Sequence, residues 1–125
     1  MRFAKWVFTI AGIYGILSVA PLYFFEGAVA ESMPPPLTHP EYYYGFIGVT
    51  LAWQFAFLII GRDPVRYRLI MLPAIFEKFS YFVSTFALQL TRGVPSTILL
   101  FATVDLVLGV LFVISFYLTR KESNL

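Results

Sequence analysis

The chain has 125 residues, of which 59% are hydrophobic and only 13% charged, and its formal net charge is +2. A water-soluble domain of this length needs more polar surface than this composition supplies, so the sequence predicts a single all-α domain, residues 1–125, embedded in a membrane. The sequence contains no cysteine, which excludes disulfides, thiolate metal sites and cysteine nucleophiles. No basic tract is dense enough to indicate nucleic-acid binding.

Four apolar segments predict an integral membrane bundle of four transmembrane helices. Each segment is close to the ~20 residues that cross a ~30 Å hydrocarbon core as a helix. Helices are predicted because irregular backbone facing lipid would leave its polar groups unsatisfied. The four spans cover about residues 6–25, 42–60, 69–90 and 97–118, and an outer loop, residues 26–41, joins the first two.

The first segment also has features of a signal peptide. Arg2 and Lys5 give it a basic start, and Ala28-Val29-Ala30 resembles a cleavage site. Its apolar part is longer than the core of a signal peptide, so we expect it to stay attached as the first helix.

The basic residues predict the orientation in the membrane. All but two of them fall at one set of helix ends, with Arg92 at the other set and Lys78 inside a span. The positive-inside rule then places both termini in the cytoplasm and residues 26–41 outside. The residues at the cytoplasmic ends are Arg2, Lys5, Arg62, Arg66, Arg68, Arg120 and Lys121.

Prolines predict three local features of the backbone. Pro34 to Pro36 favour an extended polyproline path in the outer loop. Asp63 and Pro64 are typical of the N-cap and first position of a helix, so we expect the third helix to begin there. Pro73 then falls inside that helix and is predicted to bend it.

A layer of polar side chains is predicted near the middle of the membrane. Glu77 and Lys78 interrupt the third span and Asp105 interrupts the fourth. A rise of ~1.5 Å per residue places them within about one helical turn of each other in depth, close to Gln54 and Tyr14 of the first two spans. Charged groups at this depth normally face other helices and pair, so Asp105 is the predicted partner of the third helix.

Helical spacing assigns side chains to faces of the third helix. Glu77, Tyr81 and Ser84 fall at i, i+4 and i+7 and are predicted to share one face. Lys78 is rotated by about 100°, so we expect it to point away from Glu77 and to reach Asp105. Trp53, beside Gln54, lines a pocket, packs in the core or faces lipid.

The polar layer has a functional and a structural interpretation. If Glu77, Lys78 and Asp105 are all ionised, their charges sum to one negative charge, which favours protonation of one carboxyl in a dry interior. Such a cluster could relay a proton, hold a cation or hydrogen-bond the head group of a lipophilic molecule. Alternatively, it only fixes which helices pack together.

Two segments carry a resemblance to a known family. They are Tyr43-Tyr-Gly-Phe-Ile-Gly-Val-Thr-Leu-Ala-Trp-Gln54 and Arg62-Asp-Pro-Val-Arg-Tyr-Arg68, and an acidic residue lies in each of the last two helices. With four short helices and an extended outer loop, the chain resembles DoxX-like small proteins of the bacterial inner membrane. This resemblance implies a multi-pass protein of that membrane and membership of a partner complex. It carries no catalytic motif.

Three functional hypotheses follow, and the third is a proton- or cation-conducting element, which would need oligomers because four helices form a narrow bundle. The first is a non-enzymatic integral membrane protein that serves as an accessory subunit of a larger complex or homo-oligomer, or binds a small lipophile. The second is an intramembrane enzyme, such as an isomerase acting on a sterol, quinone or other lipid, with Glu77 and Asp105 doing acid–base work. Because no catalytic or cofactor motif is recognised, and because a single histidine, His39, with scattered carboxylates is poor evidence for a metal site, the first hypothesis leads.

Overall fold

Four long helices and one short helix make up the fold. The computed structural model describes residues 2–32 and 38–120, and within these ranges all regular secondary structure is helical. All of the helices except α2 belong to segments that are long and apolar enough to cross a membrane, which confirms the predicted number of long apolar helices. The helices are α1 (Arg2–Val19), α2 (Glu26–Ser32), α3 (Pro40–Arg62), α4 (Met71–Thr91) and α5 (Ser96–Leu118).

Helices α1 and α3 begin earlier in the chain than the apolar segments that predict them, whereas α1 ends at Val19, before the end of its segment. A 3₁₀ turn, Ala20–Phe24, continues α1, and another, Arg68–Ile70, precedes α4. Helix α3 begins with Pro40 at its first position, where a proline loses no hydrogen bond. At the starts of α1 and α3, helical hydrogen bonding therefore includes residues outside the apolar segments.

The helices pack as two pairs. Helix α1 packs along α3, and α4 packs along α5, with a tight turn between the latter two. Gly93 adopts a φ of 79°, and its N–H donates to the carbonyl of Leu88 at 2.9 Å, which closes the end of α4. The pairs meet mainly through α1 and α5, whereas α3 and α4 make few contacts.

One end of the bundle is packed shut by aromatic rings, and we call it the closed end. Phe8 stacks on Phe112 with ring centroids 4.1 Å apart, and Phe57 meets Phe112 edge-on at 5.0 Å. All three residues are fully buried. Because they come from α1, α3 and α5, the start of α1 and the end of α5 lie at the same end of the bundle.

Arg68 ties the start of α4 to α5 at the closed end. Its Nε donates to the carbonyl of Phe116 at 3.0 Å, and its guanidinium lies 3.6 Å from the centroid of the Phe116 ring. A guanidinium over an aromatic face is an attractive contact in addition to the hydrogen bond.

The segment before α4 differs from the prediction. Residues 64–67 form a turn instead of the first turn of a helix, and α4 begins at Met71. Asp63 still acts as a local cap, since its Oδ1 accepts a hydrogen bond from the N–H of Arg66 at 3.3 Å. Pro73 consequently lies in the first turn of α4, where N–H groups have no intrahelical partner. Pro73 thus lies within α4 as predicted, although in its first turn, and the bend inferred from it stays a prediction.

The opposite end, which we call the loop end, is covered in part by α2. The Tyr43 hydroxyl donates to the carbonyl of Leu22 at 2.6 Å, and the Tyr44 hydroxyl donates to Glu26 Oε2 at 2.9 Å. These bonds hold the chain after α1 against α3. Helix α2 was not predicted, since residues 26–41 were expected to form a loop, and the polyproline path predicted for Pro34 to Pro36 lies outside the described residues.

Candidate functional site

A cavity of about 350 Å³ lies among the four long helices and extends from the middle of the bundle toward the loop end. Among the residues that the structure describes, the charged ones in its lining are Glu77, Lys78 and Asp105, and most of the remaining lining is apolar or aromatic. Val29 of α2 also lines it, so the short helix forms part of its wall. The aromatic cluster at the closed end contributes no lining residue. The site is therefore a pocket with charged groups in its lining.

Lys78 is the centre of the charged cluster. Its Nζ donates to Asp105 Oδ1 at 3.2 Å and lies 3.7 Å from Glu77 Oε2. The Lys78 side chain is only 5% exposed, so these two carboxylates replace the water that an ammonium group normally keeps. The ammonium also lies 5.2 Å from the centroid of the Phe57 ring. One cation is thus shared between two anions.

The predicted direction of the Lys78 side chain was half right. The structure confirms that it reaches Asp105 across to the neighbouring helix. The expectation that it points away from Glu77 was wrong, because the ammonium comes within 3.7 Å of that carboxylate. Helical rotation fixes the direction of Cβ, but the four-carbon stem of a lysine can bring its end back toward an adjacent residue.

Gln54 provides a second polar group in the same cavity. Its Nε2 donates to the carbonyl of Thr50 at 2.8 Å, while its Oε1 is buried without a hydrogen-bond partner. The carboxamide lies against Gly15 of α1, where a Cβ would collide with it. Glycine at this position therefore lets Gln54 occupy the interface of α1 and α3.

Six of the eight residues predicted for the polar layer line this cavity. They are Tyr14, Gln54, Glu77, Lys78, Tyr81 and Asp105, which come from all four long helices.

The other two residues lie elsewhere. Ser84 is exposed and is not part of the cavity lining. Trp53 packs against the buried core, with its ring centroid 6.2 Å from that of Phe57. Of the interpretations open for Trp53, core packing is the one observed.

Several residues in the cavity lining were not predicted, although helical spacing could have identified them. Ser18 lies four residues after Tyr14, Thr50 four before Gln54, and Phe101 four before Asp105. Residues four apart lie on the same helix face. Each predicted polar position could thus have been extended by one turn toward the outer loop to trace the cavity wall.

The cavity has a largely apolar wall, and two buried oxygen atoms of its lining residues have no hydrogen-bond partner in the described part of the chain. Among the described residues, the two buried side-chain polar atoms without a hydrogen-bond partner are Gln54 Oε1 and Glu77 Oε2. Glu77 Oε2 still lies within ion-pair range of Lys78, so Gln54 Oε1 is the unpaired atom, at a cost of about 1–3 kcal/mol. Three charged residues in a largely apolar lining match a molecule with an apolar body and a polar end better than they match lipid tails.

Comparisons with family models, with curated proteins and with solved structures find no match for this chain.

Proposed function

We propose that this protein is an integral membrane protein that binds a small lipophilic molecule in the cavity among its four long helices. The observation that carries the proposal is the cavity of about 350 Å³, which holds Glu77, Lys78 and Asp105 within a largely apolar lining. Ligand pockets combine apolar walls with a few polar groups that fix orientation in this way.

The size of the cavity limits the ligand. At about 350 Å³ it lies near the lower end of the range of ligand pockets, about 300–1,000 Å³. This volume suits a small single-chain or compact ring molecule better than a whole phospholipid. Such a molecule reaches the cavity by partitioning into the bilayer first.

The proposal also includes the orientation of the protein and the membrane in which it lies. The positive-inside rule favours cytoplasmic termini, with the closed end inside and the loop end outside. A multi-pass location in the bacterial inner membrane, and kinship with DoxX-like proteins, rest on the resemblance of the segments around Gln54 and Arg62.

The test is native mass spectrometry of the protein released gently from its own membrane, followed by extraction of bound molecules. We expect wild-type protein to carry a small lipophile, and Glu77→Ala and Asp105→Ala to retain at least tenfold less of it while still inserting. Asp63→Ala is the matched control, because Asp63 is an exposed carboxylate outside the cavity, and its ligand content should equal that of wild type. Equal ligand content in all four proteins, or none in wild type, would refute the proposal.

The same measurement separates two other functions. A stable assembly with larger proteins, without a bound lipophile, would make the chain an accessory subunit. An intramembrane enzyme is favoured by one observation, which is that both carboxylates, Glu77 and Asp105, line a single cavity. It would show as two chemically related bound molecules whose ratio changes in Glu77→Gln, since loss of an acid–base group slows conversion rather than binding.

A further inference from the structure

The charged groups of the cavity do not balance one another. Glu77, Lys78 and Asp105 are the charged residues of the described lining, and in their ionised forms they carry two negative charges and one positive charge. The Lys78 ammonium is already paired, since it lies 3.2 Å from Asp105 Oδ1 and 3.7 Å from Glu77 Oε2. One negative charge therefore has no counter-charge in a largely apolar interior, where an unpaired charge is costly.

The accessible part of this cluster is carboxylate and not ammonium. The Lys78 side chain is 5% exposed, whereas those of Glu77 and Asp105 are 20% and 17% exposed. Lys78 lies nearest to one oxygen of each carboxylate. The other two oxygens, Glu77 Oε1 and Asp105 Oδ2, make no hydrogen bond to a described residue and are not among the fully buried polar atoms. A ligand in the cavity therefore meets the negative side of the cluster.

A ligand with a cationic end supplies the missing charge. From these observations, and on the basis of the proposed function, we infer that the ligand is a lipophilic amine whose ammonium group lies beside Glu77 and Asp105. The charges of the occupied cluster then sum to zero. The apolar body of the amine lies along the wall toward the loop end, beside Phe46 and Phe101.

The proton count is the same whichever form of the amine enters. An amine that enters as ammonium meets ionised carboxylates. An amine that leaves the bilayer uncharged takes the proton of a neutral carboxyl, so that an O–H bond breaks and an N–H bond forms on the nitrogen lone pair. Both routes end with two carboxylates and two ammonium groups in contact.

An inorganic cation matches the site less well than an amine does. Hard metal ions such as Ca²⁺ need six or more oxygen ligands, or keep several waters. Among the described residues, no group of three or more His, Cys, Asp or Glu side chains is placed to hold a metal ion. The largely apolar lining suits the hydrocarbon part of an amine instead.

The experiment compares two probes of equal chain length, decylamine and decanol, by equilibrium dialysis against the protein in phosphatidylcholine nanodiscs at neutral pH. Both probes donate hydrogen bonds, but only decylamine carries a positive charge. Empty nanodiscs of the same lipid measure partitioning alone. We expect decylamine to bind wild-type protein about tenfold more tightly than decanol after this correction, since a hydrogen bond to a charged partner is stronger than one between neutral groups.

Two variants assign the preference to the carboxylates. Glu77→Gln and Asp105→Asn each remove one negative charge at nearly constant shape, so that Lys78 balances the carboxylate that remains. Both should lower the binding of decylamine to the level of decanol. Asp63→Asn, at an exposed carboxylate outside the cavity, is the matched control and should keep the wild-type preference. The wild-type comparison needs neither variant, so it decides the inference even where a variant does not fold.

The outcomes separate this inference from the proposed function. Equal binding of the two probes to wild-type protein, above partitioning, would overturn the amine and leave the binding function standing. A preference for decylamine that persists in both variants would overturn the assignment to the carboxylates. Binding of neither probe above partitioning would overturn both the inference and the proposed function.

Discussion

At the scale of single residues, the central feature is one buried cation shared by two carboxylates. Lys78 lies 3.2 Å from Asp105 and 3.7 Å from Glu77, and its side chain is 5% exposed. Removing the cation leaves two anions facing each other in an apolar interior, whereas removing a matched pair of opposite charges leaves fewer unpaired groups. The cluster should therefore respond to substitutions in a strongly non-additive way.

We predict that Lys78→Met lowers the free energy of unfolding by about 2 kcal/mol. This value lies between the cost of breaking a buried ion pair in a soluble protein and the smaller cost of losing a polar contact between helices in a membrane. The double variant Lys78→Met/Asp105→Asn should lose less than Lys78→Met alone. The measurement is reversible unfolding in mixed micelles followed by circular dichroism. Lys5→Met, at an exposed lysine near the start of α1, is the control and should change stability by less than about 0.5 kcal/mol. A double variant that loses as much stability as Lys78→Met alone, or more, would contradict the shared-cation arrangement.

At the scale of helices, α1 and α3 approach closely because α1 has glycines on the contacting face. Gly12 is buried, and a Cβ there would lie 2.9 Å from the backbone carbonyl oxygen of Gln54 and 2.7 Å from Leu58 Cδ2. Small residues at helix contacts are a main source of packing in membranes, where lipid removes the hydrophobic drive for association. This contact also sets where Gln54 lies relative to the cavity.

Gly12→Ala should accordingly destabilise the bundle by about 1–3 kcal/mol, because the backbone of α3 must move to accept the methyl group. Gly45→Ala is a matched control in α3, since a Cβ there meets nothing within 4 Å. It should be neutral or stabilising by up to about 1 kcal/mol through helix propensity. The same unfolding titration measures both variants. A Gly12→Ala protein as stable as Gly45→Ala would show that α1 and α3 are not held at this contact.

At the scale of the whole molecule, the sequence predicts the number of long helices and most of the polar layer. The hydropathy and length of the apolar segments are enough to predict the long helices. Counting residues from the ends of each span places Tyr14, Gln54, Glu77 and Asp105 at similar depths, and all four line the cavity. The cavity could not be predicted, because it lies among four helices and α3 and α4 make few contacts with each other. Spacing along one helix carries no information about the separation of two helices.

The places where prediction failed have local physical causes. The start of α4 was misplaced because Asp63 and Pro64 suit a turn as well as a helix start, and a 3₁₀ turn follows them. For Trp53 three positions were left open, and the structure shows packing against the core. Its contact with Phe57 is four residues along α3, whereas the core it packs against comes from other helices as well.

The orientation of the whole bundle is the last prediction. Since the chain contains no cysteine, single cysteines can report which end lies on which side. Thr38, in the exposed segment before α3, marks the loop end, and Val65, in the turn before α4, marks the closed end. In bacterial cells, a membrane-impermeant maleimide should label Thr38→Cys in intact cells but Val65→Cys only after permeabilisation, because the basic residues beside Val65 hold that turn in the cytoplasm. Both variants should label equally once the membrane is permeabilised, which controls for access to each thiol. The reverse pattern would place the loop end, and with it the cavity, toward the cytoplasm.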